Sequence, residues 1–441
     1  MSAMIKVYTI SLGCPKNRVD TENMLGQLGR AYAPAERVDE ADVVLINTCA
    51  FIQPAVEESV QTILDIAHDI GGLSPRPFLA VAGCLPARYG QQELAAELPE
   101  VDIWLPMAVQ SEFAHCLGKY FDLPPSAQSR LLTTPPGFAY LKISEGCEHR
   151  CAFCTIPSIR GPLSSTPRER LVDEAKLMQY QGVRELCLVA QDLTAYGRDL
   201  GYGKKGLCSL LEALGEDTDL DWIRLMYLYP TGVNRELLEF IAHAGLPVLP
   251  YIDVPLQHAH PDILRTMGRP FAQDPRRVVD RISSCLPQAC VRTSIIVGYP
   301  GETEAHFQAL LSFIQEARFW HVGVFSFCPE EGTAAASLPG QVPNAVKEQR
   351  REELMRIQAD ISQEIMAQWV GENLKVLVDC PEPEWPGLFQ GRTWFQAPEV
   401  DGLTYVSSQA AAPGDMVWAE VVDSMTYDLS ALGSDCDSDQ G

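Results

Sequence analysis

The chain has 441 residues, 46% of them hydrophobic and 21% charged, which allows two or three globular domains and excludes fibrous and disordered classes. No apolar run approaches the roughly 18 residues of a membrane span, so no membrane contact is expected. The formal net charge of −24 works against binding phosphate backbones, which draws on Lys and Arg, so a basic protein is the expected partner rather than nucleic acid.

Residues 4–120 alternate strand and helix. The start, Met1-Ser2-Ala3-Met4, runs directly into a strand and lacks a signal-peptide core, so a cytoplasmic chain is expected. Strands are expected over 6–10, 42–47 and 78–82, with a shorter one over 103–105. Helices are expected up to about Arg30, over 54–68 and around Phe113. Short continuous apolar strands separated by helices imply a parallel sheet covered on both faces. Cys14, Cys49 and Cys84 leave successive strands at intervals of 35 residues. One βα unit separates each from the next, so all three converge on the carboxyl edge of one sheet, where open α/β sheets bind ligands. The helix N-termini that follow favour the negative charge of a thiolate-held cluster. One such cysteine reads as a buried core thiol; three at equivalent strand ends read as a cluster site.

Residues 121–137 are rich in Pro, Ser and Thr and read as a linker. Residues 138–370 then carry six strand-like runs, over 140–144, 185–190, 223–228, 251–254, 291–297 and 322–327. Helical patterns such as 167–181, 235–244 and 304–317 separate them. Six βα repeats suggest a partial, open (β/α)6 barrel whose chemistry sits at the carboxyl ends of the strands and whose side opening admits a macromolecular substrate.

Just past the first of these strands, Cys147, Cys151 and Cys154 are spaced C-x3-C-x2-C. Soft thiolates select iron–sulfur clusters or zinc. A cubane cluster wants four ligands, so three from one loop leave one iron open to a substrate. Gly146 lets the chain turn into the loop, and Arg150 adds positive charge beside it. Zinc loops more often pair C-x2-C with a distant second pair, but a zinc loop or three core thiols stays open as an alternative. At the strand ends, Gln191, Asp192, Gly298 and Glu302 are candidate cofactor contacts. Gln191 and Asp192 serve equally well as helix caps, and His258 equally well as a core histidine. The remaining cysteines, Cys116, Cys187, Cys208, Cys285, Cys290, Cys328 and Cys380, read as small core fillers, and Cys436 lies in an acidic tail.

A charged helix over 343–371 precedes five short strands, over 374–378, 388–397, 403–406, 416–422 and 425–429. They suggest a small OB-like β-barrel at 371–432, and 433–441 reads as a disordered tail. The fold class is α/β: an N-terminal parallel α/β sheet domain, a central partial (β/α)6 barrel and a C-terminal small OB-like β-barrel.

With an aromatic before its last cysteine, the Cys147–Cys154 loop resembles the radical S-adenosylmethionine enzymes, in which the open iron chelates the methionine part of the cofactor. The whole arrangement resembles the methylthiotransferases: a three-cysteine domain, a radical S-adenosylmethionine core and a TRAM barrel. Ser11-Leu12-Gly13-Cys14-Pro15-Lys16-Asn17, the segment 144–154 and Asp253-Val254-Pro255-Leu256-Gln257-His258 resemble the RimO-type branch, which modifies an aspartate of small-subunit ribosomal protein S twelve. The sister MiaB-type branch modifies an isopentenylated adenosine in tRNA. From residue 371 onward two basic residues, Lys375 and Arg392, face thirteen acidic ones, 2 − 13 = −11. A barrel that grips tRNA should be basic, so the protein substrate is favoured.

The resemblance implies two [4Fe-4S] clusters, on Cys147, Cys151 and Cys154 and on Cys14, Cys49 and Cys84, together with S-adenosylmethionine. The first cluster would generate a 5′-deoxyadenosyl radical to take hydrogen from the aspartate β-carbon, the second would present sulfur, and a further S-adenosylmethionine would supply the methyl group. A one-electron donor such as flavodoxin or ferredoxin is implied. A tRNA methylthiotransferase and a non-catalytic zinc-binding, ribosome-docking module stand as competing expectations.

Overall fold

The structure is a computed structural model and describes residues 4–121, 123, 130–270 and 275–434. The N-terminal region contains, in order, β1 (Ile5–Ser11), α1 (Pro15–Gly26), β2 (Tyr32–Pro34), β3 (Val43–Thr48), α2 (Gln53–Gly71), β4 (Phe78–Gly83), α3 (Cys84–Tyr89), α4 (Gln91–Glu97), β5 (Ile103–Pro106) and α5 (Phe113–Leu117). The strands are all parallel in the order β2-β1-β3-β4-β5. This is the flavodoxin-like order, with its switch point between β1 and β3. β3 is buried along its whole length, as a strand covered on both faces must be. The first helix ends at Gly26, short of the expected Arg30. The three-residue edge strand β2 is too short to give a periodic signal.

The expected linker is tied down where it is described. Arg130 pairs with Glu22 of α1 at 2.6 Å, and Glu22 also accepts from the backbone N–H and hydroxyl of Thr133 at 2.7 and 2.9 Å. Residues 130–136 are therefore a strap along α1 rather than a free spacer; residues 124–129 lie outside the described set.

The central region runs β6 (Phe138–Lys142), β7 (Ser144–Glu145), α6 (Ile156–Arg160), β8 (Ser164–Ser165), α7 (Arg168–Tyr180), β9 (Glu185–Val189), α8 (Gly206–Asp217), β10 (Trp222–Leu225), α9 (Arg235–Ala244), β11 (Tyr251–Asp253), α10 (Pro261–Thr266), α11 (Arg276–Cys285), β12 (Cys290–Val297), α12 (Glu304–Ala317) and β13 (His321–Ser326). Two parallel triplets, β6-β9-β10 and β11-β12-β13, join through a parallel bridge between Ile223 and Val248. The result is the expected six-stranded open barrel, with β6 and β13 as its margins. On the β6 side, Val19 of α1 enters the barrel's apolar core; on the β13 side, Leu354, Ile361 and Met366 of α13 (Asn344–Ala367) do the same.

The C-terminal barrel is closed, in the order β14 (Asn373–Pro381), β15 (Leu388–Arg392), β16 (Thr404–Ser407), β18 (Leu429–Gly433), β17 (Met416–Ser424), an OB-like arrangement. Two expectations are corrected here. The second strand stops at Arg392, because residues 393–401 leave the barrel to plug the base of the central one. In that plug Asp401 accepts from Tyr251 Oη at 2.6 Å and from Arg292 at 3.2 Å, and Trp394 O accepts from Arg224 at 2.7 Å. The fifth strand begins at Leu429, because Met425–Asp428 form a turn closed by Met425 N–H to Asp428 O at 2.8 Å. The expected tail also starts late: Gly433 ends a strand and the Ser434 hydroxyl donates to Trp418 O at 2.8 Å, while 435–441, with Cys436, lie outside the described residues. Among the described residues, no helix is long and apolar enough to cross a membrane.

Candidate functional site: two cysteine trios at facing strand ends

Cys14, Cys49 and Cys84 follow β1, β3 and β4, on the carboxyl edge that includes the switch point. Side-chain hydrogen bonds braid these three strand ends together. Asn17, fully buried, donates to Leu12 O at 2.8 Å and Thr48 O at 2.9 Å; Asn47 donates to Asn17 O at 2.7 Å; and the Ser59 hydroxyl donates to Cys49 O at 2.7 Å. Gly13 sits at φ +89, where a Cβ would stand 2.7 Å from that of Cys49. No other residue lets Cys49 close on the Cys14 loop.

Cys147, Cys151 and Cys154 lie in the loop between β7 and α6. Gly146, at φ +78, faces the carbonyl of Pro162, which a Cβ would meet at 2.0 Å. Here the expected sharp turn has a concrete cause. The loop is pinned by Cys147 N–H to Gly161 O at 3.1 Å and Ala152 N–H to Met267 O at 3.0 Å.

Burial governs the thiols. It pushes Cys49 up to about 11 and Cys154 up to about 12, with the other members of each trio adding to the effect. Cys84 and Cys147 are also raised, again first by burial. Buried thiols gathered in threes become thiolates once a metal centre supplies positive charge. The donor set therefore fits iron–sulfur ligation.

The sequence signals missed the cations. Arg150 is exposed. The guanidinium that opposes the rise of Cys147 and Cys154 is that of Arg269, a buried residue over the Tyr229 ring at 5.0 Å, with Nε lacking a hydrogen-bond partner. At the other trio, Arg160 Nη2 stands 3.4 Å from Cys84 Sγ. Arg160 also pairs with Asp20 at 3.0 Å and Glu145 at 2.9 Å, and Lys142 pairs with the same two carboxylates. This four-residue network crosses from α1 to the loop that begins the second trio. No local motif reports it, since its members are up to 140 residues apart.

The other candidates divide. Asp192 holds His149 at 2.7 Å, and the His149 ring stacks on Tyr229 at 3.5 Å, beside the second trio. The same carboxylate caps the following turn at Thr194 N, so the capping expectation and proximity to the site coexist. Gln191 donates to Glu145, while its buried Oε1 has no partner. Gly298 and Glu302 take part in packing against α13. A Cβ at 298 would meet Lys347 of α13 at 2.2 Å. Glu302 is engaged by the Gly298 N–H at 2.8 Å and by Arg350 at 2.8 Å. His258 is fully buried 3.6 Å from Glu302, in keeping with a core histidine.

Comparison with known proteins agrees with this architecture region by region. Residues 6–106 match the uncharacterized protein family UPF0004, 141–314 the radical SAM superfamily and 370–432 the TRAM domain. The ribosomal protein uS12 methylthiotransferase RimO of Nitratidesulfovibrio vulgaris is 59% identical over 97% of this chain and 100% of its own length. The chain belongs to the RimO family. The RimO protein of Oleidesulfovibrio alaskensis is 55% identical over 97% of the chain and 100% of its own length. Beyond the RimO family, the radical S-adenosylmethionine methyltransferase TsrM of Kitasatospora setae shares the fold with a TM-score of 0.53, at 15% identity, covering 94% of this chain and 84% of that one. Membership of the RimO family and the radical SAM superfamily implies two [4Fe-4S] clusters and S-adenosylmethionine. The two trios match that requirement in number and chemistry.

Proposed function

We propose that this chain methylthiolates the β-carbon of an aspartate in ribosomal protein uS12. Cys147, Cys151 and Cys154 would hold one [4Fe-4S] cluster and Cys14, Cys49 and Cys84 the other. When bound, these groups and S-adenosylmethionine supply the one-electron chemistry that breaks an unactivated C–H bond, the sulfur and the methyl group, none of which a side chain can provide. The chain's own residues position and shield. Glu145, Lys142 and Arg160 fix the two trio-bearing elements against each other, Arg269 places positive charge beside the second trio, and Asp192 orients His149 against Tyr229.

The observation that carries this reading is the convergence of two three-thiol sets on one mouth, joined by a shared ion network. Family membership supports it, through relatives named for uS12. The C-terminal segment, acidic by eleven charges (2 − 13) from residue 371 onward and by eight (2 − 10) within the barrel at 371–432, suits a basic protein and not an RNA backbone. Its role is to dock the substrate, while a one-electron donor serves the radical step.

The test supplies anaerobically reconstituted protein with S-adenosylmethionine and a reductant, and offers uS12 and tRNA in parallel. Methylthiolated uS12 with unmodified tRNA is the expected result. Modified tRNA with untouched uS12 overturns the reading, as does a colourless protein that binds zinc and cleaves no cofactor.

A further inference from the structure

Lys16 is a buried cation without a counter-ion. It lies in the first turn of α1, two residues past Cys14, and is 7% exposed. Its described partners are the carbonyl of Ala190, at 3.4 Å, and the face of the Tyr227 ring, 3.8 Å from the centroid. An ammonium carries three donors, and one long hydrogen bond leaves it largely unsatisfied. Burying a charge in this state is unfavourable unless a partner arrives.

Its neighbours behave differently. Lys142 and Arg160, the nearby cations of the junction, are both paired with Asp20 and Glu145. Lys347, also buried without a carboxylate, donates a good hydrogen bond to Phe327 O at 2.8 Å. Arg269 belongs to the second trio. Lys16 is also not the cation that acts on the first trio's buried thiols; that is Arg160, 3.4 Å from Cys84 Sγ.

Position gives the lysine its meaning. Ala190 directly follows β9 and Tyr227 follows β10, so the ammonium of an N-terminal-domain residue is delivered to the carboxyl ends of two barrel strands. Cys14 and Tyr227 are both partly exposed, which places the ammonium beside an accessible surface between the two trios. Tyr227 holds its place by a left-handed backbone, φ +65, anchored by its N–H to Asp253 at 2.9 Å. A non-glycine residue in that conformation is strained and persists where the surroundings demand it.

The β-carbon of an aspartate is bonded directly to its carboxylate. A substrate presenting that carbon between the trios must therefore bring a negative charge to the same place. We propose that Lys16 receives the side-chain carboxylate of the target aspartate, with the Tyr227 ring as the platform that aims the ammonium. Lys16 is thus a substrate-binding residue that selects aspartate over its uncharged analogue. This rests on the proposed function and adds the residue that reads the substrate's charge.

The test measures the affinity of reconstituted holoprotein for uS12 and for uS12 in which the target aspartate is replaced by asparagine, by fluorescence anisotropy. Wild-type protein should prefer aspartate by about tenfold or more, the usual scale of a charge-assisted hydrogen bond. Lys16→Met should bind both forms equally, at the asparagine level, and Lys16→Arg should keep part of the preference. Iron content and visible absorption of each variant check folding and loading. An unchanged aspartate preference in Lys16→Met overturns the proposal. So does loss of about half the iron in that variant, which would make Lys16 a counter-ion of the first trio. If wild-type holoprotein binds neither form, the proposed function fails; if it modifies uS12 while Lys16→Met keeps the preference, only the role of Lys16 fails.

Discussion

The guanidinium of Arg160, six residues beyond Cys154 in the chain, stands 3.4 Å from the sulfur of Cys84, at the start of α3 in the N-terminal region. The short helix α6 that ends the second trio's loop thus touches the first trio directly. Asp20 of α1 and Glu145 at the mouth of the barrel clamp the same guanidinium at 3.0 and 2.9 Å. The spacing between the two sulfur sets is therefore set by one side chain and its two carboxylates.

Replacing that side chain should be costly. Arg160→Met leaves Asp20 without half its compensation in a buried site, and breaking a buried pair costs about 3–5 kcal/mol. Denaturant unfolding should register that loss, and iron bound at the first trio should fall with it.

The two trios should separate functionally. Alanine at Cys147, Cys151 or Cys154 should abolish deoxyadenosine formation. Alanine at Cys14, Cys49 or Cys84 should leave cofactor cleavage in place and stop sulfur insertion. Product analysis by chromatography and mass spectrometry distinguishes the two outcomes.

Gly146→Ala tests the loop alone. A Cβ 2.0 Å from the Pro162 carbonyl has nowhere to go, because both partners are backbone. The variant should keep the cluster on Cys14, Cys49 and Cys84 and lose the one on Cys147, Cys151 and Cys154, so bound iron drops from about eight to about four atoms per chain, as expected for two cubanes and then one.

Acid should loosen the junction. Burial pushes the Glu145 carboxyl up, but Lys142 and Arg160 outweigh it and bring it down from 4.5 to about 2. A carboxylate depressed in the folded state contributes stability above its unfolded value and loses it as pH falls through the folded one. Stability should thus decline between about pH 4.5 and 2, and Glu145→Gln should flatten that decline while lowering stability at neutral pH. Denaturation midpoints measured across this range decide it.

Arg392 makes the matching test at the other end of the barrel. Its guanidinium is buried between Asp379, at 2.7 Å, and Glu185, which Arg224 also pairs at 2.6 Å. Arg392→Met should destabilise the chain by about 3–5 kcal/mol, and limited proteolysis should then cut near residue 393, where the plug begins.

Much of this was legible in the residues themselves. The 35-residue intervals point to the first trio because one βα unit carries each cysteine to the same edge, and the C-x3-C-x2-C spacing points to the second. The six strand runs foretell the barrel because parallel strands are apolar throughout. What escaped is non-local. Arg160, Arg269 and Lys16 sit in unremarkable local contexts, and their partners lie far away in the chain. Gly298 and Glu302 carry a packing role that the sequence did not show: they accommodate α13 at the strand end. The plug at 393–401 continued a strand-like apolar pattern because its half-buried Trp394 and buried Phe395 pack against Trp320 of the central barrel.

That plug has a consequence for recognition. Asp401, held by Tyr251 and Arg292 inside the base of the central barrel, denies the acidic C-terminal barrel any swing of its own. The span from its outer face to the thiol-lined mouth is a ruler cut at folding. Under the proposed docking role, a protein whose basic surface and reactive residue are set at another distance cannot engage both ends at once, however well either half might fit.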